Sequence, residues 1–393
     1  MPPAYPIAIV GGGPAGALAA TLLASKGKDV VLFDEKLAWE KPCGGGVTHK
    51  TLQRYPFLSD ASSESNAVTK CELSSPSGNK VCIRLQHPVA IFSRFALNGL
   101  LLDRAASAGA TIRKERITHI ERVADHWELR TPHNKFQASY IILAAGARNS
   151  LRSQFLPPIS ASDLMVTAGY FIPVRTSLMQ LQFLKGITGY IWVFPRPDHV
   201  SAGIAAKMGE TTTADLRRTL ENWLEKNGFA SDGASFYSHI LPSLRPQTFE
   251  KLEVAGEGWA MIGDSAGLVD PVTGEGLYYA LRSAELCAEA LLCGSPEDYA
   301  ESLKPEVIAE LKLAGRASER FYHGQIFGDS VLQQMVSLTA KSASFRELMS
   351  DLFAGTQAYS DLRARLYRML PTVMAQGLAG TLRNWSVDPQ LSS

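Results

Sequence analysis

Ile7–Val10, Val30–Phe33, Tyr140–Ala144 and Trp259–Ile262 are unbroken apolar runs of four or five residues, each followed closely by glycine or an acid. Runs this short, bounded by turn residues, predict strands buried on both faces, as in a parallel sheet. Between the first two, Ala17 to Lys26 is rich in Ala and Leu and stops at Gly27, which predicts a helix with a C-terminal glycine. The chain therefore opens as a βαβ unit. A period of two appears elsewhere. From Glu72 to Leu85, alternating segments flank Ser77-Gly78-Asn79, a hairpin outside the parallel sheet. Arg116 to Arg130 reads as another hairpin, turning near Ala124-Asp125. Met165 to Ala206 alternates aromatic and β-branched residues, with turns at Gly186 and Pro197-Asp198, and predicts an antiparallel sheet. Helical spacing marks Phe95 to Ser107, Thr213 to Lys226, a segment ending near Leu292, and most of the chain beyond Pro296.

The expected architecture is α/β. A discontinuous Rossmann-like domain takes residues 1–55, 86–164 and 250–295. An antiparallel-sheet substrate domain takes 56–85 and 165–249, and a helical C-terminal region takes 296–393. Within that last region, 311–340 and 345–370 carry apolar stripes such as Ile326, Phe327, Val331, Leu332, Met335 and Val336. Ordinary core is the expectation for such a stripe; a lipid-tunnel wall or a membrane surface is the alternative.

Charge narrows the partners. With 39 basic and 38 acidic residues among 393, the net charge is +1 and no long basic block exists, which argues against nucleic acid. No apolar run reaches the ~18 residues a bilayer crossing needs. Met1 to Pro6 lacks the basic-then-apolar order of a secretion signal, so a cytoplasmic protein is expected, with a peripheral membrane surface as the alternative carried by the C-terminal stripes. The five cysteines have neither redox nor metal spacing and read as reduced thiols. His119, His126 and His133 recur every seven residues, but on short strands, so no metal site is expected.

Chemistry enters with the glycines. Gly11-Gly12-Gly13-Pro14-Ala15-Gly16 fits G-x-G-x-x-G between a strand and a helix. Gly11 permits the turn, Gly13 admits a pyrophosphate to the backbone, and Gly16 packs the helix on the strand. Pro14 and Ala15 open a helix whose free N–H groups and dipole attract phosphate. The second strand ends at Asp34-Glu35, placing an acid for an adenosine ribose. NAD and FAD both use this layout. The discriminating feature lies over two hundred residues downstream, in Gly263-Asp264-Ser265-Ala266-Gly267, then Pro271 and Gly274-Glu275-Gly276-Leu277. There Asp264 can bond a ribityl hydroxyl, and the helix opened at Gly274, Gly276 and Leu277 can stabilise negative charge on a reduced flavin ring. The cofactor expected is FAD.

Together these segments resemble the FAD-dependent family that joins aromatic hydroxylases, halogenases and geranylgeranyl reductases. Lys41-Pro42-Cys43-Gly44-Gly45-Gly46 and Gly189-Tyr190-Ile191-Trp192-Val193-Phe194-Pro195 resemble the geranylgeranyl reductase branch. The resemblance implies that Arg94 contacts FAD, and that Ala145-Gly146 stands where relatives have Asp-Gly. It also implies that the 41–46 loop borders the flavin, with Cys43 and Gly44 on the cofactor side and Gly45 toward substrate. Ala145 in place of the aspartate weakens a hydroxylase-style NADPH contact. Cys43 is either a substrate-side residue that donates a proton or a small buried thiol. Tyr190, Trp192 and Phe194 share one strand face, which lines a pocket or packs a core.

The implied function is saturation of carbon–carbon double bonds in a geranylgeranyl-type isoprenoid by hydride from reduced flavin. Cys43, Tyr190 or an ordered water would supply the proton, and Trp192, Phe194 and Gly45 would contact the chain. Electrons would come from NAD(P)H or another external reductant, an electron-carrier protein included. Two rivals stand beside it. One is a monooxygenase or halogenase acting on an apolar or aromatic substrate, since Tyr190 to Pro195 also resembles a halogenase Trp-x-Trp-x-Ile-Pro stretch. The other is a non-catalytic flavin- and isoprenoid-binding protein.

Overall fold

The computed structural model describes residues 4–61, 64–229, 232–326, 328–369 and 371. Its first sheet runs Ala255–Gly256, Trp259–Met261, Lys135–Leu143, Ala4–Val10, Val30–Phe33 and Thr111–Arg113. Ala4–Val10 is parallel to both neighbours, pairing Ile7 with Val30 and with Tyr140. Val30 to Phe33 are all buried, as strands covered on both faces must be. The helices Pro14–Ala24, Arg94–Ser107 and Leu277–Cys293 supply that cover. The hairpin His119–Val123 and His126–Arg130 attaches to Lys135–Leu143.

The second sheet runs Ser235–Pro242, Leu164–Ile172, Val200–Lys207, Gly189–Pro195, Met179–Phe183, Ser65–Ser74, Lys80–Phe92 and Gly46–Val47. Two details depart from the sequence reading. Met179–Phe183 lies parallel to Ser65–Ser74, in a sheet otherwise antiparallel. No hairpin joins these two strands, which come from separate insertions, so nothing forces them to oppose. Lys80–Phe92 also runs past residue 85, with a register shift opposite Val68/Lys70, and its end pairs with Gly46–Val47. Pro88 lacks a ladder N–H, and the bulge lets the strand continue around it.

One face of this sheet buries Leu216, Leu220 and Leu224 of the helix Thr213–Lys226, whose N-terminus is capped by the Thr212 hydroxyl. Against the other face pack the C-terminal helices Val331–Lys341 and Ala343–Ala354. Leu332, Met335 and Val336 are buried there, so that part of the apolar stripe is core. Phe327, Leu370, the side chain of Ile326 and residues 372–393 lie outside the described residues. Among the described residues, no helix is long and apolar enough to cross a membrane.

Candidate active site

A cavity of about 700 Å³ opens where the two sheets meet. Its wall gathers Gly11, Gly13, Pro14, Ala15, Asp34, Glu35, Cys43, Gly44, Gly45, Arg94, Ala145, Gly146, Tyr190, Trp192, Phe194, Asp264, Gly274, Gly276 and Leu277. Of the residues expected from the sequence to contact cofactor or substrate, Gly16 alone is absent from that wall. A Cβ there would stand 1.9 Å from the Gly11 carbonyl oxygen, so Gly16 acts through packing rather than contact with a ligand.

The first glycine turn is built as the motif requires. Gly11 has φ +114°, and a Cβ on it would meet the Ala144 carbonyl oxygen at 2.4 Å. A Cβ on Gly13 would meet nothing within 4 Å, which leaves room for a phosphate against the backbone. The helix starting at Pro14 has no side-chain cap, so its first N–H groups are free to donate. The Asp34 carboxylate accepts from Gly12 N at 2.7 Å, Lys36 N at 2.8 Å and Leu37 N at 2.7 Å. Its Oδ2 takes only one of these bonds and keeps capacity for a ribose hydroxyl. Across the cavity Asp264 lies 3.7 Å from the Lys41 ammonium. These features fit a dinucleotide reaching from Asp34 to Asp264.

The 41–46 loop is fastened by residues that lie outside the sequence motifs. Arg196, whose side chain is fully buried, donates to the Cys43 carbonyl at 2.6 Å and pairs with Glu40. Ser201 donates to the same carbonyl at 2.9 Å and is hydrogen-bonded to Tyr237. Glu40 also accepts from the Ser93 hydroxyl at 2.6 Å and Arg94 N at 2.8 Å. A charged residue directly after an apolar aromatic strand was the one available signal for Arg196. Gly44 lies so close to Phe194 that a Cβ would stand 2.2 Å from the ring.

Burial pushes the Cys43 thiol up. Arg94, the Gly45 N–H and Arg196 more than offset this, and its pKa falls below the ordinary thiol value. Gly45 N donates to Cys43 Sγ at 3.4 Å. Tyr190 is different. Its hydroxyl donates to the Thr273 carbonyl at 3.1 Å, and burial, with Asp270 and Cys43 nearby, pushes its pKa up. Through this bond Tyr190 fastens the second glycine turn to the aromatic strand.

Beyond the aromatic strand the cavity is apolar. Met179, Leu181 and Phe183 come from the sheet, Phe321 from the helix Ala309–His323, and Met349, Leu352 and Phe353 from Ala343–Ala354. The C-terminal region thus contributes both core and cavity wall. At the polar end, burial and the charges of Lys41, Arg148 and Arg94 outweigh Asp264 and push His239 down to about 3, so it is neutral.

Residues 5–168 match the pyridine nucleotide-disulphide oxidoreductase family. The chain is 26% identical over 379 residues to the geranylgeranyl diphosphate reductase of Synechocystis, covering 88% of this chain and 89% of that one. It is 26% identical to the menaquinone reductase of Mycolicibacterium smegmatis, covering 75% and 78%. Among solved structures, a geranylgeranyl bacteriochlorophyll reductase-like protein of Thermoplasma acidophilum superposes with TM-score 0.76 at 19% identity, covering 93% and 100%. The flavin-dependent brominase Bmp2 superposes with TM-score 0.67 at 15%, covering 94% and 100%, and shares the fold. A two-turn dinucleotide cradle on a Rossmann-like sheet, beside a second sheet, defines the class: this is an FAD-dependent oxidoreductase. Within that class the relatives it resembles include geranylgeranyl reductases, at 26% identity for the Synechocystis protein.

Proposed function

We propose that the protein saturates carbon–carbon double bonds of a geranylgeranyl-type prenyl chain. The observation that carries this reading is one continuous cavity, polar and glycine-lined at one end and walled by Met179, Leu181, Phe183, Trp192, Phe321, Met349, Leu352 and Phe353 at the other. FAD, when bound and reduced, supplies a hydride equivalent.

The chain's own residues do the rest. Gly11, Gly13 and the helix N-terminus at Pro14 hold the phosphates, with Arg94, Asp34 and Asp264 anchoring either side. An isolated alkene has no electron-withdrawing group, so proximity must provide much of the rate. Trp192 and Phe194 fix the bond in place, and the apolar wall excludes water. Cys43 is the better proton donor of the two candidates: Arg94 and the Gly45 N–H stabilise the thiolate left behind, whereas the Tyr190 proton is held by Thr273. Electrons reach the site from an external reductant, NAD(P)H or a carrier protein.

Relatives named for a diphosphate and for a quinone stand at the same 26% identity, so overall similarity does not choose a head group. The test is mass spectrometry of geranylgeranyl diphosphate, quinone and glycerolipid substrates mixed with dithionite-reduced protein under argon. A gain of two hydrogens per saturated bond is expected. Unchanged lipid throughout, or turnover only when oxygen is admitted, overturns the reading in favour of a carrier or an oxygenase.

A further inference from the structure

The loop 270–276, which leads into the helix Leu277–Cys293, is gripped from several directions. Ser318 and Tyr322 donate to the Pro271 and Val272 carbonyls at 3.0 and 3.4 Å, and Tyr190 donates to Thr273. Two acids sit in this loop. Asp270 is 4% exposed and accepts from Val272 N at 2.7 Å and from the Tyr359 hydroxyl at 2.9 Å. Glu275 lines the cavity, and its Oε1 accepts from Thr48 at 2.8 Å and Thr51 at 3.4 Å. Among the described residues neither carboxyl forms an ion pair with Lys or Arg.

This placement poses an electrostatic conflict. Gly274 and Gly276 open a helix whose N-terminal N–H groups and dipole favour negative charge on a reduced flavin. A carboxylate at Glu275, between those glycines, would oppose that charge. A neutral carboxyl would not.

We propose that Glu275 takes up a proton when the flavin is reduced, so that its carboxyl is neutral beside the reduced ring and its protonation sets the flavin potential. Two electrons and one proton go to the ring, and a second proton goes to the Glu275 carboxylate. The electrons come from an external two-electron reductant and the protons from solvent. Glu275 acts here as a positioning residue. Its surroundings support the exchange: burial pushes its pKa up to about 7, with Asp270 adding to the rise and Thr48, Lys50 and Thr51 opposing it. Tyr359 faces Asp270, as do Tyr190 and Tyr322; Lys50 lies 3.9 Å over the Tyr278 ring, and Tyr278 and Tyr279 are further ionisable neighbours of Glu275. The inference rests on the flavin assignment and not on the prenyl reading.

The experiment is a spectroelectrochemical titration of the FAD-loaded full chain across pH about 6 to 9, without lipid. In the native protein, protons taken up per two electrons should rise from one to two above about pH 7, where Glu275 is ionised before reduction. Glu275→Gln keeps the Thr48 hydrogen bond and should hold at one throughout. Asp270→Asn removes the like charge and should move the onset to lower pH. A two-proton segment that survives in Glu275→Gln, or is missing from the native protein, overturns the proposal. Should Glu275→Gln not retain flavin, Asp270→Asn decides: an onset that does not move overturns it, and a lowered one supports it. Because no lipid is present, failure here and failure of the prenyl reading register separately.

Discussion

Replacing Gly44 by Ala tests whether the 41–46 loop and the aromatic strand are fitted to each other. A Cβ at Gly44 would stand 2.2 Å from Phe194 Cδ2 and 2.4 Å from Cε2, where ordinary contact begins at 3.4 Å. Ring or loop must therefore move by more than 1 Å (3.4 − 2.2 = 1.2 Å). The loop cannot yield easily, because Arg196 and Ser201 hold the Cys43 carbonyl at 2.6 and 2.9 Å. Overpacking of this kind costs roughly 1–3 kcal/mol. If the strain falls on the cofactor-bound state, FAD affinity drops by about 5- to 150-fold. Fluorescence titration with FAD reads the loss, and thermal unfolding of the apoprotein shows how much falls on the fold instead. Phe194→Ala added to Gly44→Ala vacates the space and should recover most of the deficit, a coupling that a double-mutant cycle measures. If Gly44→Ala binds FAD and unfolds like the native protein, or Phe194→Ala fails to rescue it, the two elements are not in the proposed contact.

Cys43→Ser should retain FAD while slowing reduction of a prenyl substrate by roughly 10²–10⁴-fold, the usual contribution of a positioned acid, read as single-turnover oxidation of the flavin by lipid. Arg196→Met leaves Glu40 without its cation and should cost about 1–3 kcal/mol, with faster hydrogen exchange across 41–46 as the signature. Glu40 is pulled upward by burial, but Arg196, the Ser93 hydroxyl and Arg94 N outweigh this and hold it below its ordinary 4.5. Its share of native stability is thus complete above about pH 4.5 and lost as pH falls through the lowered value, and acid titration of Glu40→Gln should lack that loss. Leu352→Trp narrows the apolar end and should favour shorter prenyl chains, checked by comparing kcat/KM for 10- to 20-carbon substrates taken as about two to four isoprene units.

The FAD cradle was legible because its parts are local. Gly11 to Gly16 and Asp34 lie within one βαβ unit, where backbone dihedrals, helix termini and short spacings dictate geometry before any distant contact forms. Apolar periodicity likewise announced the buried strands of both sheets, since burial on one or two faces imprints directly on residue order. Long-range placement left no such imprint. Nothing near Arg196 says that its guanidinium reaches back 153 positions to the Cys43 carbonyl. The stripe in the C-terminal helices was equally silent about dividing its labour, with Leu332 and Val336 in the core and Leu352 and Phe353 on the cavity wall. The same holds for Glu275, whose partner Thr48 lies 227 residues away. Helical and strand periods encode which face is buried, whereas the identity of what covers that face is chosen by packing among segments the chain brings together only when folded.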